Sequence, residues 1–185
     1  GRGAVKRIET DIEGAWLVEP RVFYDDRGFF LESYSRKAFA EIGITCPFVQ
    51  DNHSRSLHKG VLRGLHFQRP PAAQAKLVRV SAGAVYDVIV DLRTSSPTYG
   101  KWRGFDLSAE NFLMLFVPPG CAHGFCAVEP DTDVMYKVDT PYSPEHDSGI
   151  IWNDPALAVR WPVDNPLLSG KDARLGRFGD LNSPF

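Results

Sequence analysis

The chain has 185 residues, 43% of them hydrophobic, which is enough for one domain with a full core across 1–185 and too little for two. A formal net charge of −2, with both signs spread along the chain, excludes a basic face for nucleic acid and an acidic solvating arm. No apolar run approaches the roughly 18 residues of a membrane-spanning helix, so no membrane partner is expected.

The opening stretch GRGAVKRIETDIEG has no apolar segment of the kind a secretory leader carries. Beyond it the chain is punctuated by Gly and Pro about every ten residues, and the runs between are short. AWLVEPRVFYD, GFFLESYS, PFVQDNHSRS, GVLRGLHFQ and AKLVRVSAG read as strands, followed by AVYDVIVDLR, KWRGFDLS, NFLMLFVPPG, AHGFCAVEP and TDVMYKVDTPYS. They are rich in Val, Phe, Tyr and Leu, and KLVRV and DVMYKVD alternate apolar with polar side chains, as half-buried strands do. SRKAFAEIG has helical spacing, with Ser35 as N-cap and Gly43 as the stop. The tail DNPLLSGKDARLGRFGDLNSPF is polar and broken, and should wrap the barrel as loop and short helical turns. The expected class is all-β, a sandwich or barrel with the jelly roll foremost, carrying short helical segments near the two ends. Three cysteines, Cys46, Cys121 and Cys126, cannot all pair with one another, and read as reduced thiols suited to the cytoplasm.

Polar residues interrupt these strands at places where an interior needs apolar ones. Arg63, His66 and Lys76 surround the proline- and alanine-rich turn RPPAAQA, and His123 follows the tight turn VPPG. Either histidine alone reads as a satisfied core residue. Together with Lys76 and Arg63 they suggest an anionic substrate or a developing negative charge, because buried cations are rare unless paired. A metal site is the rival. A metal-binding cupin barrel carries H-x-H, then a carboxylate, then a third His. Here the first element is His66-Phe67-Gln68, and Lys76 stands where a carboxylate would serve. An ammonium repels a metal ion, so the pattern is that of a cupin-like barrel that uses a lysine in place of a metal, with no cofactor.

Asp87 and Asp91 share one face of a strand. Asp91 can serve an ion pair with Arg93, and Asp172 can serve as a cap in the tail. Tyr136 is either a packing residue or an acid across a pocket from a base. On the same parity argument Gln50 and Asn52 can reach one ligand together, as can Phe30 and Glu32, and each can equally be a side chain that only faces solvent.

The motifs FYDDRGFFLESYS, FVQDNHSRS, GVLRGLHFQ, QAKLVRV, AVYDVIVDLR, SPTYGKW, FVPPGCAHGF, YKVDTPYSPEH and IIWNDPALAVRWP through LLSGKDA follow in an order that resembles the dTDP-4-dehydrorhamnose 3,5-epimerase family. The resemblance runs from about Val18 to Asp172 and implies a homodimeric, metal-independent cupin jelly roll acting on a dTDP-linked 4-keto-6-deoxy sugar. It implies His66 as base, Asp172 as the carboxylate orienting it, Lys76 at the sugar C4 oxygen and Tyr136 as the opposing acid. It places His123 beside the sugar and gives Arg63, Gln50, Asn52 and Lys171 to the diphosphate and nucleotide. Tyr142 is implied to pack on the nucleotide, while Arg27, Phe30 and Glu32 belong to a segment that reaches the neighbouring subunit's pocket. The chemistry is consistent with this set. Removing a proton at C3 or C5 beside a C4 ketone forms an enolate, which needs a base, a cation at the oxygen, and an acid on the other face to return the proton with inversion. Inversion at C3 alone, inversion at C5 alone, and a cupin that only binds sugar all remain open at this point.

Overall fold

The computed structural model describes residues 5–185; the leading 1–4, part of the stretch read as free of a secretory leader, lie outside the described residues. The described strands are β1 (Lys6–Glu9), β2 (Trp16–Glu19), β3 (Val22–Asp25), β4 (Gly28–Leu31), β5 (Gln50–Ser56), β6 (Leu62–Gln68), β7 (Lys76–Ala82), β8 (Ala84–Asp91), β9 (Trp102–Ser108), β10 (Met114–Val117), β11 (Cys121–Ala127), β12 (Thr132–Val138) and β13 (Asp147–Gly149). Helix α1 (Arg36–Glu41) starts where the sequence places it, with the Ser35 hydroxyl accepting from the Ala38 N–H at 3.3 Å. The tail adds α2 (Gly170–Ala173) and a 3₁₀ turn at Phe178–Asp180. No helix among the described residues is long and apolar enough to cross a membrane.

The strands form a six-stranded sheet, β1-β2-β10-β7-β12-β5, and a five-stranded sheet, β13-β6-β11-β8-β9, packed as a jelly roll. β3 and β4 pair only with each other, as a hairpin outside both sheets. The stretch read as one strand from Ala15 to Asp25 is therefore two elements. It breaks at Pro20, which has no N–H for a ladder, and the halves pair with different partners. β1 and β13 were not anticipated: four and three residues are too short to show a period.

Alternation along the strands builds three apolar layers. Val78 and Val80 of β7, Leu115 of β10 and Val134 of β12 meet Val85 and Ile89 of β8 and Phe125 of β11 between the sheets. The outer face of the six-stranded sheet packs Leu77, Met114 and Phe116 under Phe39 of α1 and Ile44. The outer face of the five-stranded sheet packs Leu65, Phe67, Val88 and Val90 under the tail, through Ile150, Leu157, Trp161, Phe178 and Phe185. Covering both faces of both sheets in this way holds the tail, and with it α2, against the barrel.

Candidate active site

The inward series of four strands each carry one polar residue in line with core valines, isoleucines and phenylalanines. Lys76 precedes Val78 on β7, Asp87 lies between Val85 and Ile89 on β8, His123 between Cys121 and Phe125 on β11, and Tyr136 follows Val134 on β12. His66 of β6 is directly opposite His123 in the ladder. The strands can approach here because of two glycines. A Cβ on Gly64, whose φ is +118°, would lie 2.7 Å from both Gly124 Cα and the His123 carbonyl, and one on Gly124 would lie 2.7 Å from the Arg63 carbonyl. The register shifts between His123 and Phe125, a bulge that re-aims the side chains around it.

A cavity of about 490 Å³ opens at this end of the barrel and is lined by Arg63, His66, Lys76, His123, Tyr136, Lys171 and Asp172, with Ser54, Leu167 and Ser169 among the remaining wall residues. The sequence-implied catalytic residues thus converge, although the last comes from the tail. Asp172 does not cap a helix. Ser169 caps α2 by accepting from the Asp172 N–H at 3.1 Å, which frees the Asp172 carboxylate to turn inward. One of its oxygens accepts from the Gly64 N–H at 3.0 Å, and the other is 2.6 Å from His66 Nε2. Burial pushes this carboxyl up, but the bonds from His66 and Gly64 and the charge of Lys171 outweigh it and leave Asp172 below the usual carboxylate range. An ionised carboxylate only accepts, so Nε2 of His66 carries a proton in this bond, and Nδ1 is the ring nitrogen that faces no carboxylate.

Lys76 is buried, and no carboxylate reaches salt-bridge distance of it among the described residues. Burial lowers its pKa to about 8, against the opposing pull of Asp87 and Asp147. Its ammonium stands 5.7 Å from the centre of the Tyr136 ring. Burial also raises Tyr136, outweighing Asn52 and Arg63, so the phenol holds its proton at neutral pH. His123 Nε2 lies 2.9 Å from Oδ2 of Asp87, which is fully buried and whose Oδ1 has no partner. Burial raises Asp87 more than His123 and Lys76 lower it. Asp87 is the residue that sequence reading underused. Its parity with Asp91 was visible, but Asp91 forms the ion pair with Arg93 and also bonds Ser96 and Thr98, whereas Asp87 pairs with His123, which lines the cavity.

Other implied residues lie around the rim or away from it. Arg63 donates to the Ser56 hydroxyl and the Arg55 carbonyl, and Lys171 pairs with Asp147. Gln50 donates to Asn52 at 2.8 Å and accepts from the Tyr142 N–H, with Tyr142 itself exposed. Arg27 and Phe30 sit on the exposed β3–β4 hairpin, with Arg27 paired to Asp25, and Glu32 follows directly after β4; this chain's own cavity does not include them. Cys121 and Cys126 are free and buried, their thiols pushed up to about 12 and about 11, and Cys46 is free too.

The profile of the dTDP-4-dehydrorhamnose 3,5-epimerase family matches residues 9–180. The chain belongs to this family, and its barrel is the family's cupin-like jelly roll. It is 54% identical over 180 residues to the Pseudomonas aeruginosa epimerase of that name, covering 96% of this chain and 98% of the relative. A Bacillus anthracis family member, crystallised with TDP and pyrophosphate, superposes with a TM-score of 0.93 at 57% identity, covering 94% of this chain and 99% of that one. A Legionella pneumophila member in complex with dTDP-4-keto-L-rhamnose superposes at 0.92 and 45% identity, covering 96% and 95%.

Proposed function

We propose that the whole chain acts as one catalytic domain that inverts C3 and C5 of dTDP-4-dehydro-6-deoxy-D-glucose, giving dTDP-4-dehydro-L-rhamnose. The observation that carries this reading is the placement of His66, with its Asp172 partner, on one sheet and of Tyr136 on the sheet that faces it across a single cavity. His66 Nδ1 takes the proton beside the ketone. The enolate charge at the C4 oxygen is met by the Lys76 ammonium, which is present below about pH 8. The Tyr136 phenol returns a proton from the opposite face, which inverts the centre. Arg63 and Lys171 supply charge-assisted donors for the diphosphate, Gln50 and Asn52 supply amides for the nucleotide, and His123 flanks the sugar.

The exposed hairpin suits a homodimer. Tyr24, Phe29 and Phe30 are exposed on an element that pairs with neither sheet, so Arg27, Phe30 and Glu32 are free to reach a second copy's cavity. Light scattering should give a dimeric mass; a fully active monomer would remove the shared pocket. The decisive measurement is NMR of the substrate incubated with the protein in D2O. Deuterium entering at both C3 and C5 is expected. Entry at one centre would reduce the activity to a single epimerisation, and entry at neither would leave only binding.

A further inference from the structure

The turn between β6 and β7 takes no part in the chemistry above, yet its side chains and backbone hold the loop between β12 and β13. Gln68, the last residue of β6, is 4% exposed. Its amide nitrogen donates to the Ala72 carbonyl at 2.8 Å and to the Pro141 carbonyl at 3.2 Å, and its amide oxygen accepts from the Ser143 N–H at 2.9 Å. Gln74 donates to the Thr140 carbonyl at 2.8 Å, and the Ala75 N–H to Asp139 Oδ1 at 2.7 Å. Arg69 secures the far end of the loop through the Glu145 carbonyl at 2.8 Å. Pro141 and Ser143, the two residues that Gln68 holds, flank Tyr142, whose N–H is taken by Gln50. The loop thus satisfies much of its backbone with side chains of the neighbouring turn, and presents one aromatic ring outward near Lys171.

We propose that Gln68, backed by the Arg69–Ala75 turn, is a positioning residue: by fixing the backbone on both sides of Tyr142, it sets the ring that the family resemblance already gives to the nucleotide. This rests on the nucleotide-sugar reading above. A base stacks well on a phenol ring only if the ring's backbone is held still, and Tyr142 has no core packing to hold it. The residue type at position 68 follows from the bonds it makes. Two carbonyls need a donor and one N–H needs an acceptor, and a single amide supplies both, whereas a carboxylate supplies no donor.

The test is calorimetric titration of dTDP into the wild-type protein, Gln68→Leu, Tyr142→Ala and the double variant. Tyr142→Ala should weaken dTDP by on the order of tenfold, as loss of one base–aromatic stack does. Gln68→Leu should weaken it severalfold alone, yet by less than twofold in the Tyr142→Ala background, because its effect passes through that ring. In turnover, KM of the Gln68 variant should rise by more than kcat falls. Gln74→Leu removes one bond to the same loop, and should shift dTDP affinity in the same direction by less, which keeps the test available if Gln68→Leu does not fold. Additive losses from Gln68 and Tyr142, or no loss from either glutamine variant, would overturn the positioning role alone. Unchanged dTDP affinity in Tyr142→Ala would overturn the nucleoside role of that ring, and the positioning role with it.

Discussion

His66–Asp172 and His123–Asp87 are the same chemical pair, an imidazole Nε2 against a carboxylate at 2.6 and 2.9 Å, on strands that are neighbours in one sheet. Their surroundings separate them. The His66 side chain is 34% exposed, whereas His123 is 4% exposed and Asp87 wholly buried. The first carboxylate comes from the tail and is held below the usual carboxylate range by its donors; the second comes from the adjacent strand β8 and is pushed above that range by burial. A half-open imidazole whose proton is fixed on Nε2 can exchange protons with a substrate. The buried pair shows the cavity only the His123 ring, whose Nε2 is committed to Asp87, and its carboxylate acts on the field around Lys76. On the reading proposed above, identical chemistry gives a base where the ring is half open and an electrostatic support where it is buried.

Substitution at the two histidines should break this comparison most sharply. His66→Ala should reduce deuterium entry at both C3 and C5 by on the order of 10²–10⁴-fold, the usual contribution of a positioned base. If His123→Ala matched that loss with the same loss of exchange, the division of roles would be wrong. Asp172→Asn comes next. The amide would donate to the ring, favour the other tautomer and occupy the lone pair, so kcat should fall by on the order of 10²-fold with KM changed far less. Equal kcat in the two proteins would remove the orienting role.

Tyr136→Phe keeps the ring and deletes the hydroxyl. Product formation should fall by on the order of 10-fold or more while deuterium entry falls less, since the enolate still forms. Near-normal epimerisation by the phenylalanine variant would reduce Tyr136 to packing.

The deep pair is addressed by pH. The Lys76 ammonium is lost as pH rises past about 8, so kcat/KM should decline above that value. Asp87→Asn removes a negative charge that favours the ammonium, and should move this decline to lower pH, costing severalfold at pH 8. An unmoved profile would show that Asp87 does not act on Lys76. For stability the sign is opposite. The unfolded chain keeps this proton up to about 10.5, so between about 8 and 10.5 the residue makes the fold more stable as pH rises. The smallest effect is expected from EDTA: dialysis should leave activity unchanged, because an ammonium stands where a metal-binding site would need a carboxylate. Activity lost to the chelator and restored by one metal would reverse that.

Much of the barrel was legible because each strand carries its own evidence. Period-two alternation and Gly and Pro punctuation located ten strand-forming runs, and Ser35 and Gly43 bounded α1. Arg63, His66 and Lys76 were conspicuous as polar residues among apolar ones, whereas Tyr136 read equally as a packing residue. The division at Pro20 and the strands β1 and β13 were not legible, since a three- or four-residue strand is defined by its partner and not by its own pattern.

Local sequence also could not say which aspartate served which partner. Asp172 sits in a context that reads as a cap, and Asp87 and Asp91 differ by two places on one strand. Ser169 took the capping role, Arg93 took Asp91, and the apolar seal of the tail brought Asp172 within 2.6 Å of a histidine 106 positions earlier. Side-chain direction along a strand depends on the chain itself, so the sequence alone determined the all-β class and the inward polar residues. Pairing between distant residues depends on which surfaces meet when the core closes, so only the tertiary structure decided the two histidine–aspartate pairs, the lowered pKa of Lys76 and the hold of Gln68 on the Tyr142 loop.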